Sequence, residues 1–460
     1  MRERSRRPAF AATGLVPCLA VLSLLTQPAA ALDPSTIETH ELKNGMQVVL
    51  WPDHSIPNLT LYTFYRVGSR NERPGTTGLS HFFEHMMFLG SKNYAPGEFD
   101  QVMEAAGGAN NAYTAQDITV YQDWFPRSAM QTIFELEADR IASLAIDSTS
   151  VESERGVVAS ERRRSVEDNN IRALDEENWA AAYMAHPYQW PVIGWMVDIE
   201  NWKIADLYDY FRTYYAPNNA TAVVVGDFQP AEILALFRTH LEPIPRGPQP
   251  PAVTTAEPEQ KGERRTELHR KAQVASIIAG WHVPPTGHDD IYALWVLETL
   301  LLDGESSRAY RRLVERDEKA LRVWGGFTYS MDPTLFQVYM QVRQGVEASA
   351  CESALYEEIE RIVTEPPDER ELRKAKNQIT ADHYRGLETI SGKASALGYA
   401  AVYFDDPKAF LGVVDKIEAV SIEDVQRVVR AWFTKTNRTV SILIPEGVEG
   451  SSDADAEVGS

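Results

Sequence analysis

Cysteine is nearly missing from this chain: among 460 residues there are two, Cys18 and Cys351. A disulfide-stapled fold is excluded, and a chain this long buries enough core without one. Long apolar runs are scarce as well. The one near the N-terminus, Phe10 to Leu25, is broken by Pro17 and is short for a membrane span. Arg2, Arg4, Arg6 and Arg7 precede it and Ala29-Ala30-Ala31 follows it, so residues 1–31 read as an export signal cut near Leu32. Pro17 stands where a lipoprotein site at Cys18 needs a small residue. The expectation is an exported chain, periplasmic or secreted, without stable membrane insertion after cleavage; a retained anchor is the alternative. Basic charge is also in deficit, with 45 Lys and Arg against 66 Asp and Glu and a net charge of −21. The signal holds four Arg and one Glu, so the remainder sits near −24. Nucleic acid and anionic lipid are excluded as natural partners, whereas cationic peptides are attracted.

What the chain does have is a repeat. Residues 199–225 match residues 417–443 without gaps at an offset of 218, with Ile204 on Ile422, Asp206 on Asp424, Asn219 on Asn437 and Thr221 on Thr439. Each stretch reads as an amphipathic helix, a turn at Asn and a β-branched strand. A repeat this long implies two copies of one domain. Prolines 243, 245, 248, 250, 251 and 258 mark the joint. The predicted layout is a domain over 32–245, a stiff linker over 246–265, a homologous domain over 266–449 and a disordered tail over 450–460. Strands are expected at 47–50, 61–65 and 119–125, and helices at 78–90, 97–106, 128–144 and 150–166. The mixture predicts an α+β fold, helices lying on one face of a largely antiparallel sheet.

The chemistry concentrates in His81-Phe82-Phe83-Glu84-His85. On a helix His81, Glu84 and His85 share a face. Two neutral imidazoles at that spacing can hold one Zn²⁺, and the carboxylate between them can take a proton from water. The order H-x-x-E-H inverts the commoner H-E-x-x-H. An offset of 214 sets Trp295 and Thr299 opposite the two histidines, so one copy carries the motif and the other does not. A catalytic zinc wants a third protein ligand. Glu154 and Glu161, two turns apart on one predicted helix face, are both candidates, and composition does not choose between them.

The segments HFFEHMMFLGS, GGANNAYTAQDITVY and SERGVVASERRR, in this order and spacing, resemble the pitrilysin/insulinase family of inverted-motif zinc metallopeptidases, in its two-domain, processing-peptidase-like branch. The resemblance implies Glu161 as third ligand, 76 positions after His85, and Glu154 as the carboxylate that orients a ligand histidine. It implies that Arg322 and Tyr329, seven apart in the second copy, reach the scissile carbonyl and the substrate backbone as donors. It places Asn111 and Ala112 on an edge strand that binds an extended peptide. The function so implied is a zinc-dependent endopeptidase for unfolded or short polypeptides, one Zn²⁺ per chain, with Glu84 as general base. A homodimer, or pairing with a related subunit, is expected on the same ground. The alternatives are a non-catalytic scaffold subunit and a zinc subunit active only beside a second family member.

Overall fold

The computed structural model describes residues 33–446; the expected signal and tail lie outside them. The first copy builds a six-stranded sheet from β1 (Glu38–Glu41), β2 (Gln47–Pro52), β3 (Asn58–Tyr65), β4 (Ala109–Thr114), β5 (Thr119–Pro126) and β6 (Ala220–Gly226), in the order β1-β2-β6-β3-β5-β4. Its helices are α1 (Leu79–Met86), α2 (Glu98–Ala105), α3 (Met130–Ser143), α4 (Ser148–Arg162), α5 (Asn170–Ala182), α6 (Met196–Asn201), α7 (Ile204–Tyr214) and α8 (Pro230–Leu236). The second copy builds a five-stranded sheet from β7 (Arg264–Lys271), β8 (Ser276–Val283), β9 (Ala320–Gly326), β10 (Thr334–Val342) and β11 (Arg438–Glu446), in the order β7-β11-β8-β10-β9. Its helices are α9 (Ile291–Leu302), α10 (Ala348–Thr364), α11 (Glu369–Gly386), α12 (Ile390–Tyr403), α13 (Val413–Ala419) and α14 (Ile422–Trp432). These are two tandem homologous α+β domains. In each, one parallel pair (β2 with β6, β7 with β11) joins an otherwise antiparallel set.

The repeat read in the sequence is a repeat of elements. Shifting α7 and β6 by 218 lands on α14 and the start of β11. The matched asparagines do the same work in both places. Asn219 donates its amide to the carbonyls of Tyr214 (2.8 Å) and Arg66 (3.2 Å), and Asn437 to those of Trp432 (2.7 Å) and His282 (2.8 Å). Each thereby ties the end of a helix to a strand one element away.

The expectation of helices on one sheet face is incomplete. Leu59, Leu61, Val48 and Leu50 point into a core under α1, α3 and α7, while Tyr62, Phe64, Val49 and Trp51 point the other way and are buried too. Residues buried on both faces require a second cover. For the first sheet that cover is α12, through Ile390, Ala394 and Leu397. The second sheet is covered in return by α5, through Leu174 against Ile278 and Leu443. Each copy lends a helix to the other, which a reading of one repeat at a time does not reveal.

The buried Asn178 of α5 fixes the exchange. Its amide reaches Ser441 Oγ (3.2 Å) and the carbonyl of Thr439 (3.3 Å), and its oxygen accepts from Gln337 (2.9 Å). The joint is docked as well. Glu257 accepts the backbone N–H groups of Met184, Ala185 and His186 just past the end of α5. The predicted helix over 150–166 is α-helical to Arg162 and continues as a π turn over Arg163–Glu167. Cys351 is free and buried.

Candidate metal centre

The short helix α1 begins at Gly78, whose φ of 87° no β-carbon residue adopts cheaply and whose Cβ would meet the Ile193 carbonyl. Glu72 accepts the N–H groups of Gly78 and Ser80, both at 2.7 Å, filling the orphan donors of the first turn. Phe82 and Phe83, inside the motif, are fully buried. Phe82 packs on Trp202 and Phe83 on Tyr210, Phe211 and Tyr215. With those two rings locked inward, the helical period turns His81, Glu84 and His85 to the opposite face. The second wall is α4, started by Asp147 accepting from Thr149 and Ser150. Its far end is held by Arg162, which grips Glu176 of α5 through two bonds of 2.8 and 2.9 Å.

Between these helices the sequence candidates converge. His85 donates from Nδ1 to Glu154 Oε1 at 2.7 Å, which turns its Nε2 toward Glu161 Oε2 at 3.3 Å. His81 Nε2 lies 3.7 Å from Glu161 Oε1, and the ligand atoms of the three residues all fall within 4.8 Å of one another. Two ligands each about 2.1 Å from a tetrahedral Zn²⁺ stand ~3.4 Å apart. The observed separations fit one ion between them, with Glu154 outside the cluster as the partner of His85. A cleft of about 430 Å³ opens over His81 and Glu161, lined also by Arg172, Asp175 and Trp179 of α5.

The electrostatics suit a cation. Burial, and then the neighbouring His85, pull the His81 imidazole down to about 4, which keeps it in the neutral, ligating form. Burial also pulls on His85, but hydrogen bonds to Glu154 and Glu161 outweigh it and push that ring up to about 9. Without an ion a proton on His85 answers the two carboxylates, and a metal binding at Nε2 would displace it. Burial raises Glu84, against the opposing hydrogen bond from Thr114 Oγ1 to its Oε2 at 2.6 Å.

Thr114 ends β4, the terminal strand of its sheet, on which Asn111 and Ala112 pair inward with Gln122 and Tyr121. No strand pairs with the other side of β4 among the described residues. Arg322 and Tyr329 stand apart from the cluster: among the described residues neither bonds to His81, Glu84, His85 or Glu161. Arg322 lies on β9, the terminal strand of the second sheet, with its guanidinium 5.1 Å from the Trp324 ring. Tyr329 stacks on Tyr399 at 5.1 Å, and the Tyr399 hydroxyl meets that of Tyr113 on β4 at 2.9 Å. Thr114, Tyr399 and the α5 residues of the cleft were not singled out from sequence. They come from elements whose meeting no spacing announces.

Comparison with known proteins gives the family. The sequence model described as insulinase (peptidase family M16) matches residues 48–194, and that of the M16 inactive domain matches residues 201–379. The zinc protease PqqE of Helicobacter pylori is 31% identical over 93% of this chain and 98% of its own. An uncharacterized zinc protease of Mycobacterium bovis is 27% identical over 92% of this chain and 96% of its own. A solved structure of a protease from Helicobacter pylori superposes with a TM-score of 0.86 at 30% identity, covering 89% of this chain and 99% of that one. With both halves matched and a relative aligned almost end to end, the chain belongs to the insulinase family of zinc peptidases.

Proposed function

We propose that this chain is a zinc endopeptidase acting on unfolded or short polypeptides. The observation that carries the reading is the gathering of His81, His85 and Glu161 within 4.8 Å, with Thr114 of the edge strand β4 bonded to Glu84 of the same motif. His81, His85 and Glu161 would hold one Zn²⁺. When bound, the ion polarises the scissile carbonyl and lowers the pKa of water.

The chain's own residues do the rest. An extended substrate adds to β4 at Asn111 and Ala112 through main-chain hydrogen bonds, which read backbone rather than side chains. Glu154 accepts the Nδ1 proton of His85 and fixes the ring with Nε2 outward. Thr114 holds Glu84 Oε2, leaving Oε1 to take the proton of the attacking water and deliver it to the departing amine. Arg322 and Tyr329 supply donors to the carbonyl oxygen and the substrate backbone as the strand is clamped between the copies. Residues 32–245 form the catalytic domain, 246–265 the linker and 266–449 the homologous domain. The chain acts after export, in the periplasm or outside the cell, as a homodimer or beside a related subunit.

Digestion of a peptide library by the purified chain, with and without chelator, is the test. Chelator-sensitive cleavage is expected. Stoichiometric zinc without any hydrolysis would return the chain to a scaffold role, and activity that needs an added relative would make it one subunit of a pair.

A further inference from the structure

The second copy has a cavity beside its own version of the α1–α4 contact. The caps Asp147 and Asp368 start α4 and α11 in the same way, each accepting the second and third N–H groups of its helix. That match sets Ala375 at the position of Glu154, as the motif alignment sets Thr299 at that of His85. In the first copy this pair is hydrogen-bonded; in the second both side chains are short, and both line a space of about 750 Å³.

The charge of this space runs against the rest of the molecule. In a chain with a net charge of −21, the exposed Arg311, Arg370 and Lys374 all line it, and none of the three has a carboxylate partner among the described residues. Lys374 Nζ contacts only the hydroxyl of Ser306. Two carboxylates line the space as well, and both are already hydrogen-bonded: Asp368 takes the N–H groups of Arg370 and Glu371, and Glu371 takes Arg308 at 2.8 Å. Ser307 adds an independent sign. It is 2% exposed and lines the cavity, yet its hydroxyl has no hydrogen-bond partner.

A ligand that satisfies these groups must bring more than one negative charge and several acceptor oxygens. A phosphate group does both, and guanidinium forks match its geometry. We propose that this cavity is an anion site that takes a phosphate group, from inorganic phosphate or from a small phosphate ester. This site is independent of the peptidase reading.

The test is calorimetric titration of the full chain at constant ionic strength with inorganic phosphate, pyrophosphate and glycerol 3-phosphate. Saturable one-site binding is expected for at least one probe, and the tightest probe identifies the source. The double substitution R311Q/R370Q should weaken it at least tenfold, and Ser307→Ala should weaken it measurably, with thermal unfolding midpoints unchanged. Should the double variant misfold, the single substitution R370Q gives the same reading. The substitutions His81→Ala and His85→Ala should leave the titration as it is, because the motif lies in the other copy. Absence of saturable binding, binding indifferent to the arginines, or binding lost with the histidines would each overturn the proposal.

Discussion

In the first copy α1 and α4 meet through His85, Glu154 and Glu161; in the second, Thr299 of α9 and Ala375 of α11 line one cavity, and Asp382, at the position of Glu161, is exposed and pairs with Arg385. The framework is the same, with matching caps on α4 and α11 and one strand order once β1, which has no counterpart in the second sheet, is set aside. One acid survives the comparison. Glu298 stands where Glu84 stands, half-buried, and desolvation pushes it up to about 8. Gly326 makes room for it, since a Cβ there would lie 2.3 Å from its carboxylate. A half-buried carboxylate on this helix is therefore common to both copies, and what distinguishes the first is the pair of imidazoles and the glutamate facing them. Packing does not require those three residues, because the second copy packs without them.

The largest expected effect separates the two acids. Glu84→Gln should lower kcat by ~10³-fold or more while zinc content stays stoichiometric, since general-base removal costs 10²–10⁴ in typical cases. Glu298→Gln should leave kcat within about twofold, because no histidine stands beside it. Peptidase assays with metal analysis of both variants read this directly. Equal losses in the two would mean that Glu84 acts through structure alone.

The junction between copies offers the next effect, and it depends on pH. Asp117 of the first copy accepts the Tyr188 hydroxyl at 2.8 Å and the Met331 N–H of the second copy at 3.0 Å, with Arg70 3.6 Å away. Burial nonetheless dominates and raises it from 3.8 to about 6. A carboxyl raised on folding contributes stability that is complete below its unfolded pKa and is lost as pH rises through the folded value. Two units correspond to about 3 kcal/mol. Urea unfolding of wild type and Asp117→Asn should therefore diverge between pH 4 and pH 7, the wild type losing about 3 kcal/mol relative to the variant. Parallel curves would refute the assignment.

Glu154 comes third. It touches His85 and not Glu161's side of the cluster, so Glu154→Gln should keep the metal but weaken its affinity by about 10–100-fold, as loss of a ligand's orienting partner does. Competition with a chelator measures this. A change at Ala375, its counterpart, should not alter zinc binding at all.

How legible this was from sequence depends on how local the signal is. The motif, the two candidate glutamates and the repeat around Asn219 and Asn437 were legible because spacing on one helix, or one helix and one strand, encodes them. The choice of Glu161 over Glu154 as ligand rested on family likeness; the distances around Nδ1 and Nε2 of His85 are what separate their surroundings. Thr114 bonding Glu84, and Tyr399 bridging Tyr113 and Tyr329, were not legible, since those partners lie 30 to 286 residues apart. The exchanged helices were hidden for the same reason. A strand buried on both faces announces that a cover exists but not which copy lends it.

The exchanged helices give the smallest effect and the sharpest comparison. Their caps, Asn169 and Thr389, align α5 with α12 and place Asn178 on Gly398. At one interface the helix carries the bulk: Asn178 approaches Gly280, where a Cβ would lie 2.9 Å from its oxygen. At the other the strand carries it: a Cβ on Gly398 would lie 2.0 Å from the Phe64 ring. The same joint is thus filled from opposite sides. Asn178→Ala should cost about 1–3 kcal/mol by removing the buried hydrogen bonds to Gln337, Ser441 and Thr439. Gly398→Ala pits two effects against each other: helix propensity gains about 1 kcal/mol, and overpacking against a fully buried ring loses about 1–3. The clash at 2.0 Å is too deep for a rotamer to relieve, since Phe64 is itself held between Tyr62 and Tyr399. Net destabilisation in urea unfolding is expected, and a stabilised Gly398→Ala would mean that α12 is not seated on the sheet as described.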